Sequence, residues 1–158
     1  MNFCIFVIDH NTSHAKKGKK MKMETRKVKA IIEKGGDGRF SIYSSDDTLP
    51  YLVTGTGATI EEAKSVFSGG YDDLRRVFAE DGREFPEAEF EFVYDVPSFL
   101  QEFANVFTLA GLSRLTGVNQ KRLGHYISGY RHPSAATVRK IEEGVKGFCD
   151  RLSKVKFA

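Results

Sequence analysis

The sequence predicts an α+β chain in two parts: a small sheet-and-helix domain over residues 26–95, followed by an all-α bundle over residues 96–158. Three observations predict this division. Strand-forming residues flank a glycine-rich turn before residue 60, apolar residues follow helical spacing just after it, and the last third reads as short helices separated by glycine. At 158 residues, the chain has room for one medium domain or for two small ones with modest cores.

Two strand-forming segments open the first part. Residues 28–32 and 39–43 are rich in β-branched and aromatic side chains, and the glycine-rich segment 35–38 between them is typical of a hairpin turn. A third strand is expected at 51–54. A fourth is expected at 89–94, where charged and aromatic residues alternate.

A helix of about five turns is expected between the third and fourth strands. Thr59 and Glu62 have the spacing of a capping box, which marks a helix start. The apolar residues behind it recur at helical spacing and should face the sheet: Ala63, Val66, Phe67, Tyr71, Leu74, Val77 and Phe78. Gly69 and Gly70 interrupt this pattern as a weak point. The element order of the first part is therefore β-β-β-α-β.

Two short helices joined by a tight turn are predicted in the second part. A helix over residues 99–107 leads into a further apolar repeat that includes Leu112 and Leu115. Gly117 follows that repeat, and glycine just past a helix end tolerates a left-handed cap. Asn119 can then cap the next helix through its side-chain oxygen.

The helix after Asn119 has one apolar and one polar face. Leu123 and Ile127 lie four residues apart and should face the core, while Gly124 on the other side would let the backbone approach a ligand closely. Gln and Lys at the start of such a helix reach base edges in the major groove of DNA. We therefore expect base contacts from Gln120, Lys121 and His125. Contacts to the DNA backbone are expected from Asn119, Arg122, Ser128, Arg131 and Arg139.

A longer helix is expected after Ser134, which should cap it, with Val138 and Ile141 facing inward. Beyond Gly147 the sequence predicts a last helix whose apolar residues pair two subunits: Phe148, Leu152, Val155 and Phe157. A homodimer or higher homo-oligomer is the expected form.

The segment over residues 108–146 resembles the lambda-repressor type of helix-turn-helix. Residues 112–120 follow that family's pattern of leucine, a small residue, Thr-Gly-Val and glutamine, and residues 129–134 follow its Gly-x-Arg-x-Pro-Ser. The resemblance implies binding to double-stranded operator DNA. The chain departs at Ser113, where the family usually has alanine, and at Leu109, where it commonly has a phosphate-contacting glutamine.

Charge is strongly segregated along the chain. Residues 1–29 carry a net charge of +6, residues 30–112 carry −10 and residues 113–158 carry +7. A basic end suits nucleic acid, and an acidic middle suits a basic protein partner.

The first part resembles the antitoxins of the HicB family. The resemblance lies in residues 37–40 of the hairpin and residues 55–63 at the helix start, within the β-β-β-α-β order. It implies a partial RNase H-like domain ahead of a DNA-binding module. A proline-glycine element usual before the family's helix is replaced here by Leu49, Pro50 and Tyr51.

This resemblance implies a type II toxin-antitoxin antitoxin, which neutralises a HicA-like mRNA-cleaving ribonuclease and represses its own operon. HicA-like toxins are typically basic, so an acidic domain would complement them. The alternative is a stand-alone helix-turn-helix transcription regulator with an N-terminal domain that senses a ligand or oligomerises. A neighbouring reading frame for a basic toxin would decide between the two.

Catalysis is not expected. Two-metal phosphodiester cleavage needs carboxylates that converge on the sheet, whereas residues 29–32 of the first strand offer none. Asp37, Asp46 and Asp47 fall in turns, where aspartate is ordinary. No cofactor or metal is expected, since Cys4 and Cys149 are far apart in sequence and His10 and His14 lack a third ligand.

The first 25 residues are expected to form a disordered basic tail, with Met21 or Met23 as an alternative start. The apolar run over residues 3–8 is too short for a signal peptide, and the chain has no apolar run of membrane-spanning length. A cytoplasmic location is therefore expected.

Overall fold

The computed structural model describes residues 25–157, and these divide into two compact units that meet in sequence at Tyr94 and Asp95. Over this range the chain has a four-stranded sheet and five helices, which confirms the predicted mixed α+β class. The predicted basic tail, apart from Thr25, lies outside the described residues.

The first unit combines a sheet with one long helix. Its elements are β1 (Arg26–Lys34), β2 (Phe40–Ser44), β3 (Thr54–Gly57), α1 (Ile60–Glu80) and β4 (Ala88–Tyr94). The strand order is β3-β2-β1-β4; β2 runs antiparallel to both β1 and β3, and β4 runs parallel to β1. Because α1 covers only one face of the sheet, the inward residues of the strands and of α1 form a single core.

The hairpin between β1 and β2 forms where the glycine-rich segment predicts it. The Gly35 amide donates to the Arg39 carbonyl at 2.8 Å, and the Arg39 amide donates to the Asp37 carboxylate at 3.0 Å. Gly38 has φ of 81°, which a residue with a side chain rarely adopts.

β3 starts later than the sequence predicts. The expected strand at 51–54 is instead Thr54–Gly57, because Gly55 and Gly57 let the strand backbone lie directly against α1. A Cβ atom on Gly55 would lie 2.3 Å from the Ala63 carbonyl oxygen. Tyr51 is not part of this strand and stacks on Phe85 at 4.9 Å between ring centroids.

The N-terminus of α1 is capped as predicted. The Thr59 hydroxyl accepts from the Glu62 amide at 3.1 Å, while the Glu62 carboxylate accepts from the Ala58 amide at 2.6 Å. The helix passes through Gly69 and Gly70 without a break. Of the residues predicted to face the sheet, Val66 and Val77 are only half-buried and the others are buried.

A hydrogen-bonded cluster fixes the segment before β4 against α1. The Tyr71 hydroxyl lies 2.9 Å from the Glu87 carboxylate, which also accepts from Arg75 at 2.8 Å. Hydrogen bonds from Arg75 hold the pKa of Glu87 below its ordinary value, while burial raises the pKa of Tyr71.

The second unit is all helical. Its elements are α2 (Val96–Glu102), α3 (Leu109–Thr116), α4 (Gln120–Ile127) and α5 (Ala135–Leu152). The core lies where α3 packs against α4 and α5 and where α2 packs against α4. It contains Val96, Leu100, Leu112, Val118, Leu123, Tyr126 and Ile141.

Ser134 caps α5 as predicted, but two other predictions for this region are wrong. Val138 is 36% exposed, whereas Ile141 is buried as expected. No separate helix follows Gly147, since α5 continues through it to Leu152; a glycine inside a long helix costs only about 1 kcal/mol. Phe157 is 94% exposed.

Candidate nucleic-acid interface

The turn between α3 and α4 is fixed by backbone geometry and by one buried side chain. Gly117 ends α3 in the left-handed conformation, with φ of 68°, and its amide donates to the Ser113 carbonyl at 2.9 Å. Val118 is then buried in the core. The turn thus sets the direction in which α4 leaves α3.

Two buried residues anchor α4. Leu123 is fully buried, as predicted, and Tyr126 is 4% exposed. Ile127, the second predicted anchor, is half-buried and packs at the edge of the core. At about 100° per residue, Tyr126 and Ile127 lie within about 60° of Leu123 on opposite sides, so helical spacing alone does not choose between them.

The face of α4 opposite these anchors carries a polar stripe. Lys121, His125 and Ser128 lie at intervals of four and three residues, which places them on one side of the helix. Lys121 and Ser128 are exposed and His125 is half-buried. Gln120 and Arg122 are exposed on the two flanks of the stripe, each about 100° from Lys121.

Gly124 lies beside Leu109 of α3. A Cβ atom at this position would lie 3.9 Å from the Cδ1 atom of Leu109. The missing side chain therefore faces α3. Leu109, which stands where the resembled family has glutamine, packs against the core beside it.

His125 is held by the residues that follow α4. Its ring meets the edge of Tyr130 at 5.1 Å between centroids, and its carbonyl accepts from the Arg131 amide at 3.2 Å. The Arg131 guanidinium lies 5.9 Å from the Tyr130 ring centre. The Ser128 hydroxyl also donates to the His125 carbonyl, at 3.2 Å.

Sequence reasoning missed Tyr130. The side chain is 72% exposed, yet it is positioned by contacts with His125 and Arg131. An aromatic residue directly before an arginine and a histidine, as in segment 130–132, is the sequence signal that would have found it. Its ring offers a flat apolar surface beside the polar stripe.

The residues predicted to contact the DNA backbone are all exposed. The Asn119 side-chain oxygen accepts from the Lys121 amide at 2.9 Å, so its side-chain nitrogen remains available as a donor. Among the described residues, no carboxylate forms an ion pair with Lys121, Arg122 or Arg131. Arg139 lies on α5, away from α4 in sequence, and no described carboxylate forms an ion pair with it either.

Between residues 25 and 157, no group of three or more His, Cys, Asp or Glu side chains is placed to hold a metal ion. In the same range, none of the helices combines the length and apolar character needed to cross a membrane.

Comparison of the chain with protein-family models, with curated proteins and with solved structures finds no match.

Proposed function

We propose that the chain is a HicB-like antitoxin, which binds double-stranded DNA at the promoter of its own operon as a repressor and neutralises a HicA-like ribonuclease toxin. The observation that carries the proposal is the polar stripe of Lys121, His125 and Ser128 on a short helix that α3 and the Gly117 turn hold in place.

The stripe has the chemistry of base recognition. A lysine side chain reaches the O6 and N7 acceptors of guanine, and the Gln120 amide can pair with adenine in the major groove. Base contacts are assigned to Gln120, Lys121 and His125. Helices in this position present their N-terminal residues to base edges, and in α4 that end carries Gln120 and Lys121.

The exposed cations around α4 fit phosphate contacts. Arg122 and Arg131 lie on its flank and just beyond its C-terminus, and residues 95–157 carry ten Lys/Arg against five Asp/Glu. Asn119, Ser128 and Arg139 complete the proposed backbone contacts. Such contacts fix the orientation of the protein on DNA without reading its sequence.

A homodimer is part of the proposal. One eight-residue helix spans only a few base pairs, and two copies reading half-sites one DNA turn apart double the contact surface. A cytoplasmic location follows from the same proposal.

The toxin-binding role is assigned to the first unit. Residues 25–94 carry nine Lys/Arg and fourteen Asp/Glu, so this unit is acidic where the helical unit is basic. Long-range attraction between opposite charges accelerates association and disfavours wrong partners. The resemblance to HicB antitoxins supplies the identity of the proposed partner.

DNA binding is tested by titrating the protein against its own upstream duplex and against a scrambled duplex. We expect Lys121→Ala and Gln120→Ala to lower the ratio of the two affinities, at about 1–3 kcal/mol for each lost base contact. Arg131→Ala should weaken binding to both duplexes and reduce the salt slope by about one. Lys29→Ala, which removes one cation from the sheet unit, is the matched control.

Equal losses on both duplexes for Gln120, Lys121 and Arg131 variants would show that α4 does not read bases. The toxin role is tested separately by co-expression with a HicA-like toxin from the same operon. Restored growth supports the antitoxin. Operator binding without growth rescue would favour a stand-alone regulator.

A further inference from the structure

β4 lies at one edge of the sheet. Among the described residues it pairs with β1 alone, in parallel register from Arg26 opposite Ala88 to Ile32 opposite Tyr94. An edge strand presents backbone donors and acceptors to whatever lies beside it.

The hydrogen-bond phase shows which groups of β4 point outward. The Arg26 amide donates to the Glu87 carbonyl at 3.3 Å, so Glu87 and every second residue after it direct their backbone groups at β1. The alternate residues point away. Ala88 shows this directly, because its amide donates to the Tyr71 hydroxyl at 2.7 Å on the side away from β1.

Phe90 and Phe92 are the next residues in this outward phase. Within residues 25–157, no backbone or side-chain hydrogen bond engages the amide or carbonyl of either. Their rings are half-buried toward α1, where they meet Phe67 at 4.9 and 5.5 Å between centroids. As far as residues 25–157 are concerned, the backbone of this edge is therefore open, while its side chains are fixed.

The open face of β4, which is the sheet face that points away from α1, is acidic. Glu89 and Glu91 are exposed there, and no described residue forms an ion pair or hydrogen bond with either carboxylate. On the other side of β4, β1 shows which residues a neighbouring strand places beside these alternating glutamates and phenylalanines. Lys27 and Lys29 stand opposite the two glutamates, and Val28 and Ala30 stand opposite the two phenylalanines.

We propose that the outer edge of β4 binds an extended strand of a partner protein in which basic residues alternate with apolar ones. The strand would pair with the backbone of Phe90 and Phe92, place its cations beside Glu89 and Glu91, and place its apolar side chains beside the two rings. This is strand addition, in which the backbone supplies affinity and alternate side chains supply specificity. The proposal depends on the proposed toxin-binding function only for the source of the strand.

A second copy of β4 is a poor occupant of this edge. Antiparallel pairing about Phe90, with both open faces on one side, places Glu89 opposite Glu91. Pairing about Glu91 places Glu91 opposite the Glu91 of the second copy. Pairing about Phe92 places Glu91 opposite Val93. No register supplies a cation, and like charges directly opposite each other destabilise a sheet.

The binding test uses the full chain and a peptide labelled at its N-terminus, fluorescein-Lys-Val-Lys-Val-Lys-Val-amide, with fluorescein-Glu-Val-Glu-Val-Glu-Val-amide as the comparison. Fluorescence anisotropy should show binding of the lysine peptide only. Glu89→Lys/Glu91→Lys should weaken it by about tenfold or more. The matched control Glu80→Lys/Glu84→Lys makes the same charge change at exposed residues outside β4. It should bind the lysine peptide with the affinity of the unaltered chain.

Amide hydrogen exchange then distinguishes strand addition from contact with the sheet face. In the free protein the amides of Glu91 and Val93, which face β1, should exchange slowly and those of Phe90 and Phe92 quickly. The lysine peptide should slow Phe90 and Phe92 selectively.

Three results would overturn the proposal: equal peptide binding by both double variants, no slowing at Phe90 and Phe92, or slow exchange at both before peptide is added. The last would mean that residues 1–24 or a second copy already occupy the edge. If the Glu89→Lys/Glu91→Lys variant still rescues growth, the toxin binds a surface other than the edge of β4, and the antitoxin role stands. Failed rescue by the unaltered chain alongside normal peptide binding would reject the antitoxin role alone.

Discussion

Gly144 is the residue that lets α5 pack closely on α3. A Cβ atom there would lie 2.7 Å from the Leu115 carbonyl oxygen and 2.9 Å from the Thr116 Cα, both of them backbone atoms. Backbone cannot move aside as a flexible side chain can. The sequence could not predict this contact, because a glycine inside a helix carries no signal of what it faces.

We expect Gly144→Ala to lower the free energy of unfolding by about 1–3 kcal/mol, since overpacking outweighs the better helix propensity of alanine. Gly147→Ala is the matched control on the same helix. Its Cβ would meet only the Arg151 side chain, at 3.7 Å, so this substitution should stabilise by up to about 1 kcal/mol. Urea unfolding of both variants measures the difference, and a stabilising Gly144→Ala would contradict the close approach.

Glu87 gives the sheet unit an acid-sensitive contact. The Arg75 guanidinium holds the pKa of this carboxyl below its ordinary value of 4.5, with a further contribution from the Tyr71 hydroxyl. The folded-state pKa is the lower one, so the contact stabilises the fold above pH 4.5 and is lost as pH falls through the folded value.

Glu87→Gln should therefore be less stable than the unaltered chain at neutral pH, and the difference should shrink below about pH 4.5. Because the contact is partly exposed, a difference of about 1 kcal/mol or less is expected. Thermal unfolding between pH 3 and pH 7 measures it. Glu84→Gln, at an exposed carboxylate with no ion pair among the described residues, should show no such convergence, and a constant Glu87→Gln difference would exclude this role.

At the scale of elements, the caps could be predicted and the close contacts could not. Thr59, Asn119 and Ser134 were identifiable because capping depends on residues a few positions apart. β3 was misplaced because glycine is depleted in strands, and only the packing of α1 explains why Gly55 and Gly57 belong there. Tyr126 was missed as an anchor because two residues of α4 share similar angles to Leu123.

The cap of α1 can be tested directly. Thr59→Ala removes the acceptor of the Glu62 amide and should destabilise the sheet unit by about 1 kcal/mol. Thr56→Ala, at an exposed position of β3, is the matched control and should destabilise the sheet unit by only about a few tenths of a kcal/mol. Hydrogen exchange at the first turn of α1 should accelerate only in the Thr59 variant, and identical exchange in both would show that the cap contributes nothing.

At the scale of the whole molecule, the two hydrophobic cores and the two regions of opposite net charge are separated at the same point in the sequence. The buried residues fall into one cluster in the sheet unit and another in the helical unit. Residues 25–94 are acidic and residues 95–157 are basic. Charge segregation was predictable because it needs only composition. Which side chains meet within each core required the structure, since periodicity assigns a face without assigning its partner.

Because each unit has its own core, damage to one should leave the other folded. Leu123 is fully buried among few core residues, so Leu123→Ala, at about 2–5 kcal/mol, should unfold the helical unit and abolish DNA binding. Amide spectra should lose the dispersed signals of residues 96–152 and keep those of residues 26–94. Ile32→Ala in the sheet unit should give the reverse pattern, with DNA affinity retained. Collapse of both sets of signals in either variant would mean that the two units fold as one, and that the edge of β4 and the stripe on α4 cannot be altered independently.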